Sequence, residues 1–322
     1  MKRPLPNAPA HPAPLPAALP ALNGATLLRA LFKRPRRQSG QPTPRTRFLL
    51  ERIDPALLAR YRAALGFDAV ADQPGSVPLT FWYLPAQRAQ VATMLLESFP
   101  FRLPGTVHSA NLLRSTGAPD LAAPLLLSTA VTVQPPRENG AVLAVLDTIG
   151  EQHGRSVFEC RSTYLMVRGH AQGSRSGRAP DPPLPARAGW EVGSASGRRY
   201  AALSGDWNPI HLWAWSARLM GMRRPIIHGM HTLGRACAGL ERLHGHPLTL
   251  LDARFLTPIP LGSPVALGVA LDAGAADGSF SVERDGRVAV GGRFALADAS
   301  AASDSFDTSQ SMHGAFRRSY DA

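Results

Sequence analysis

The sequence is poor in cysteine, in lysine, in uninterrupted apolar stretches and, near its N-terminus, in acid. Two cysteines among 322 residues, Cys160 and Cys237, exclude a disulfide-dense secreted scaffold and lack the spacing of a metal-binding set. Both are expected to be buried small hydrophobes in a reducing, cytoplasmic setting. The longest apolar stretch, around residues 122–133, is broken by Pro124, Ser128 and Thr129, which leaves no membrane-spanning segment. Residues 1–50 hold nine basic residues and no acid, nine of the net charge of +12. The remaining 272 residues therefore carry only +3, too balanced for a nucleic-acid-binding surface. Lys2 and Lys33 are the only lysines among the 35 basic residues, a bias with no functional reading.

What is present organises the chain into parts. A basic Pro/Ala-rich leader (1–45), a Gly/Pro/Ser/Arg-rich linker (169–188) and a Ser/Asp-rich tail (300–322) are expected to lack regular structure. The leader also suits organellar targeting or a polyanion-binding arm, although its prolines fit poorly with an amphipathic targeting helix. Between these segments lie two halves, 46–168 and 189–299. Each reads as a helix (86–98 and 230–243) followed by strand-rich sequence, with turns at His153-Gly154 and Asp285-Gly286. V-T-V-Q-P-P-R-E-N-G from Val131 and A-R-F-L-T-P-I-P-L-G from Ala253 place Pro136 and Pro258 four residues before Gly140 and Gly262, an offset of 122 residues. Together these features predict a tandem α+β duplication.

The second half holds S-G-D-W-N-P-I-H and then R-P-I-I-H-G-M. Asn208-Pro209 is a helix-start signature, predicting a helix from Pro209 to about Met220. Asp206 and His211 would then meet at its N-terminus, where the dipole favours an ionised carboxylate and a neutral imidazole, the states an acid/base pair sharing a water requires. His228-Gly229-Met230 opens a second helix, and Gly229 offers a backbone N–H that no side chain obstructs. No equivalent of D-x-N-P-x-H occurs in 50–168, so that half is expected to be inactive, with His108 and Asn111 structural.

These motifs, with R-F-L-T-P-I-P-L-G, resemble the signature of the R-specific enoyl-CoA hydratases and the wider MaoC-like dehydratases, firmly over 200–272 and weakly over 50–168. The resemblance implies a double hotdog fold, each half a long helix wrapped by a curved antiparallel sheet. It also implies reversible hydration of trans-2-enoyl thioesters to R-3-hydroxyacyl thioesters in fatty-acyl metabolism, without cofactor or metal. By motif position Asp206 and His211 would be the catalytic pair, Asn208 their supporting ligand and helix cap, and Gly229 the donor to the thioester carbonyl. Trp213, His228 and Met230 are candidate substrate-lining residues, and His228 equally reads as fixing the turn around Gly229. Trp213 departs from the small or acidic residue common in relatives, and one of Trp213 and Trp215 is expected to pack inward. In double-hotdog relatives the altered half is associated with room for a longer acyl chain. The implied partner is an acyl-CoA or acyl carrier protein thioester, bound by a monomer or homodimer. The alternatives are a hotdog thioesterase and a non-catalytic acyl-binding subunit. Ser204 lacks a nucleophile elbow, and a metal site from Asp206, Asn208 and His211 would be poorly liganded.

Overall fold

The computed structural model describes residues 16–34, 44–67, 76–166, 182–272 and 276–297. In the first half β2 (Arg45–Leu50), α2 (Pro55–Leu65), a 3₁₀ turn (Leu79–Trp82) and α3 (Tyr83–Met94) precede β3 (Thr106–Ser115), β4 (Leu125–Val133), β5 (Val142–Gln152) and β6 (Arg155–Met166). The second half runs β7 (Ala186–Val192), α4 (Ser196–Ser204), a 3₁₀ turn (Pro209–His211), α5 (Ala214–Leu219) and α6 (Gly229–His244). It ends in β8 (Leu248–Phe255), β9 (Ser263–Leu271), β10 (Asp277–Arg284) and β11 (Arg287–Leu296).

Strand pairing makes the duplication explicit. From one edge the order is β2-β4-β5-β6-β3, and from the other β7-β9-β10-β11-β8, with β3 and β8 paired antiparallel at the centre of one sheet. The fold is the α+β tandem hotdog, a helix packed on an antiparallel sheet in each half. This order equates β4 with β9 and corrects the repeat read from the sequence. The 122-residue offset superposes the β4–β5 loop on the β8–β9 loop, one strand out of register. The equivalent turns are His153-Gly154 and Asp285-Gly286, 132 residues apart, each a left-handed pair with φ of 50° followed by 73° or 71°. The P-x-x-x-G match is therefore a feature of two loops that both end in a positive-φ glycine, not the repeat itself.

Burial follows the two helices. α6 is amphipathic, closed by Gly245 in the left-handed conformation, and Leu233, Ala236, Cys237 and Leu240 enter a core shared with Tyr61, Leu65 and Phe81 of the first half. α3 is buried nearly all round, so its polar residues must bond internally: Gln90 donates to Thr148, and Thr93 to the Ala89 carbonyl. It starts three residues earlier than the sequence suggests because Leu79–Trp82 is already helical, and it stops at Met94. Cys160 and Cys237 are free and buried as expected.

Two expectations about irregular segments are corrected. Within the leader, β1 (Ala17–Ala18) pairs with β2, and Asn23 caps α1 (Gly24–Phe32) through the Thr26 N–H. Arg88 holds the Leu19 and Pro20 carbonyls, and Lys33 those of Phe99 and Phe101, so contacts with the first half order what composition alone would leave unpaired. The end of the linker is also a strand: β7 begins at Ala186, bulged against β9, after Leu184 donates to Ser281 Oγ. The tail from 298 lies outside the described residues.

Candidate active site

The site forms where the loop after α4 meets the N-terminus of α6. Gly205, left-handed at φ 77°, ends α4 and turns the chain into Asp206. Ser204 Oγ accepts the Asp206 N–H and donates to the Tyr200 carbonyl, which gives Ser204 a structural role. Asp206 Oδ1 accepts the Asn208 N–H at 3.2 Å, and Asn208 Oδ1 accepts the Ile210 N–H at 3.3 Å, so consecutive Asx turns shape the loop. Asn208 caps as expected.

The helix it caps differs from expectation. Only Pro209–His211 forms a 3₁₀ turn; Trp213 is extended at φ −137°, ψ 157°, and α5 begins afterwards. Ser216 Oγ bonds the Pro209 and Trp213 carbonyls, and Arg198 takes that of Leu212, satisfying the groups that a continuous helix would have paired. A three-residue turn carries little dipole, so burial rather than a helix field keeps the imidazole neutral.

His211 is buried, and its Nδ1 faces the Ile226 carbonyl at 2.9 Å. A carbonyl only accepts, so Nδ1 carries the proton and neutral His211 presents Nε2 as an acceptor. Desolvation, then the neighbouring His228, push its pKa down to about 4. The His228 ring stacks on His211 with centroids 3.7 Å apart, and its Nε2 donates to the Asp206 carbonyl at 2.9 Å. His228 thus ties the motif loop to α6 as well as standing in the site. Burial pushes the Asp206 carboxyl up, but His228, His211, the Asn208 N–H and an amide from Gln87 together outweigh it and hold the group below the ordinary carboxylate range.

Gly229 is the first residue of α6, so its N–H has no partner in the helix's own ladder. A Cβ there would lie 2.8 Å from the Phe255 ring, which explains why glycine occupies the position. Met230 is buried beside it. Trp213 and Trp215 are both exposed and stack on each other at 6.1 Å. The expectation that one packs inward fails because Trp213 lies outside the helix. His108 is half-buried, its ring between those of Tyr83 and Tyr164, and Asn111 donates to Ser162 Oγ; neither enters the cluster.

Two contributors carry no motif. Gln87 on α3 donates from Nε2 to Asp206 Oδ2 at 3.3 Å. Gly197 on α4 lies against the His211 carbonyl so closely that any Cβ would collide with it. Asp206, His211 and His228 offer donor atoms within 4.8 Å of one another, near enough to share a cation. Each histidine, however, already spends one ring nitrogen on a carbonyl.

The chain is similar in sequence and fold to known proteins. Residues 175–283 match the family described as MaoC like domain. The chain is 28% identical over 231 residues to 3-hydroxyacyl-thioester dehydratase X of Mycobacterium tuberculosis, covering 68% of this chain and 77% of that protein. It is 41% identical over 61 residues to the peroxisomal enoyl-CoA hydratase 2 of Arabidopsis thaliana, 18% of this chain and 20% of that one. The crystal structure of HtdX from Mycobacterium tuberculosis aligns with a TM-score of 0.62 at 25% identity, covering 77% of this chain and 98% of that one. A MaoC-like dehydratase from Phytophthora capsici shares the fold, with a TM-score of 0.63 at 19% identity, covering 79% and 96%.

Proposed function

We propose, from the premise that this chain belongs to the MaoC-like dehydratases, that it catalyses reversible hydration of trans-2-enoyl thioesters to R-3-hydroxyacyl thioesters. The observation that carries the reading is the Asp206 carboxylate within 4.8 Å of a ring nitrogen of the buried His211, whose Nδ1 is spent on the Ile226 carbonyl. A water between them donates one hydrogen to each acceptor and turns its lone pair towards C3 of the enoyl group. As the C3–O bond forms, one of the pair takes a water proton and the electrons of the double bond move towards the thioester oxygen. The Gly229 N–H stabilises that developing charge, a contribution of about 3 kcal/mol for one well-placed donor. Return of the proton from the pair to C2 on the same face gives syn addition and restores the starting protonation states. Dehydration follows the same path in reverse. Among the described residues no helix is long and apolar enough to cross a membrane; the thioester in this reading is carried on CoA or an acyl carrier protein.

The test is loss of the conjugated enoyl-thioester absorbance with short- and long-chain substrates, with chirality of the product determined. An R product whose formation collapses in Asp206→Asn supports the reading. Release of free thiol without loss of the enone would select thioester hydrolysis instead. Tight binding of substrate on both carriers without turnover would select a non-catalytic acyl-binding subunit.

A further inference from the structure

The half without an acid/base pair reaches the site with one side chain. Gln87 is 6% exposed, and its contact with Asp206 joins residues 119 apart in sequence. Because a carboxylate only accepts, the Gln87 NH₂ must face Asp206, and its Oε1 is left buried with no hydrogen-bond partner. The other buried polar residues of this helix bond within their own half, although Gln90 Oε1 is unpartnered as well. Gln90 and Thr93 bond to Thr148, Thr46 and the Ala89 carbonyl, all within the first half. Among the described residues, Gln87 is the one first-half side chain that donates to the carboxylate. The two oxygens of Asp206 are therefore gripped from opposite halves, Oδ1 by the Asn208 N–H and Oδ2 by the Gln87 amide.

We infer that Gln87 is a positioning residue for Asp206, supplied by the inactive half to fix the plane of the carboxylate towards the reacting water. The inference rests on the acid/base reading of Asp206 above. Two hydrogen bonds from rigid elements on either side leave the carboxylate little rotational freedom, and the remaining lone pairs then point in one direction. The other titratable groups around it are His211, His228 and Tyr200 from the second half and Tyr83, His108 and Tyr164 from the first. Burial lowers the pKa of these histidines and raises that of these tyrosines, so all six are neutral at pH 7. Under those conditions the amide is a dipole opposed to no formal charge, and removing it should raise the pKa of the carboxyl.

Gln87→Met keeps the length and bulk of the side chain and deletes the donor. The expected result in the full chain is a kcat about tenfold lower, KM within about twofold, and the acid limb of kcat/KM moved up by about one pH unit. A ¹³C-carboxyl NMR titration of Asp206 should move the same way. That readout needs no turnover, so it separates this inference from the proposed reaction: an inert wild-type protein sinks the reaction, whereas an unshifted Asp206 sinks the role of Gln87. A folded Gln87→Met with an unchanged acid limb and titration overturns the inference. Should that variant unfold, the smaller Gln87→Ala removes the same donor and must move the acid limb in the same direction; an unmoved limb is again fatal.

Discussion

Both halves lay a long helix against five antiparallel strands, but they finish the N-terminus of that helix in opposite ways. In the first half, Leu79–Trp82 leads into α3 as a fully buried turn, apolar except for Thr80, with Trp82 stacked on Phe158 at 4.8 Å. In the second, α6 starts at His228-Gly229 beneath a loop of Asx turns that holds Asp206 and His211. One end is closed by packing and the other is kept polar, with hydrogen bonds that hold the Asp206 carboxylate, the His211 Nδ1 and the His228 Nε2 in place. The difference lies in what each helix start must satisfy, and under the proposed reaction it sets a condition on the site. Buried polar groups must be paired, and the pairing has to leave one carboxylate and one ring nitrogen free to act.

The comparison breaks most visibly if the chemistry does not reside in the second half. Asp206→Asn keeps the shape and removes the charge, and should lower kcat by about 10³-fold, within the range assigned to general acid–base groups; steady-state hydration kinetics measure this, and a variant with near-normal turnover would move the site elsewhere. Gly229→Ala drives a methyl group to 2.8 Å from the Phe255 ring and displaces the N–H. Its expected cost in kcat is about 10²-fold, with most of the thermal stability retained if Phe255 can rotate.

Acid stability sharpens the comparison further, because both halves hold neutral histidines. His211 and His108 have pKa values pushed down to about 4, and His231 to about 3, chiefly by desolvation. The unfolded chain, with histidine pKa near 6.5, binds more protons between these values. Stability is therefore fully present above about pH 6.5 and is lost as pH falls towards 4, by about 1.4 kcal/mol per pH unit for each such group. Glu241 and Asp252, whose carboxyls burial pushes up, act in the opposite direction. Calorimetric melts from pH 7 to 4.5 should show the decline. His108→Leu should flatten its slope while leaving kcat within about threefold, since that ring stacks between tyrosines and does not hold the water. The smallest effect expected is that of a chelator: hydration after dialysis against EDTA should be unchanged, and a loss restored by a divalent cation would reassign the Asp206–His211–His228 cluster to metal binding.

The candidate site of the second half is legible in sequence because it is local. Asp206, Asn208 and His211 lie within six residues, and His228-Gly229 follows 17 residues later, although the reason Gly229 must be a glycine, the Phe255 ring, is not local. The duplication is legible as a pattern but not in its register: paired strands are alike enough that a loop match pointed one strand out of place, and only the hydrogen-bond order resolves it. Gln87 could not have been found. Its partner is 119 residues away, and a glutamine inside a helix of ordinary composition gives no local sign of which way it faces. The role of His228 is readable only in part, since the backbone oxygen it grips depends on how Asp206 is turned. The order of residues 16–34 is equally non-local, resting on Arg88 and Lys33 reaching across to carbonyls in other segments.

The antiparallel pairing of β3 with β8 has a consequence for concentration. Were the two layers separate chains, a site gripped by Asn208 on one and Gln87 on the other would come apart on dilution, and its occupancy would follow a dissociation constant. Because one polypeptide carries both, the second layer is always present at the high effective molarity of a tether, and joining the layers ceases to be an equilibrium that the cell must maintain. The first half is thereby never absent from Asp206, joined to it by the β3–β8 seam and the Gln87 amide.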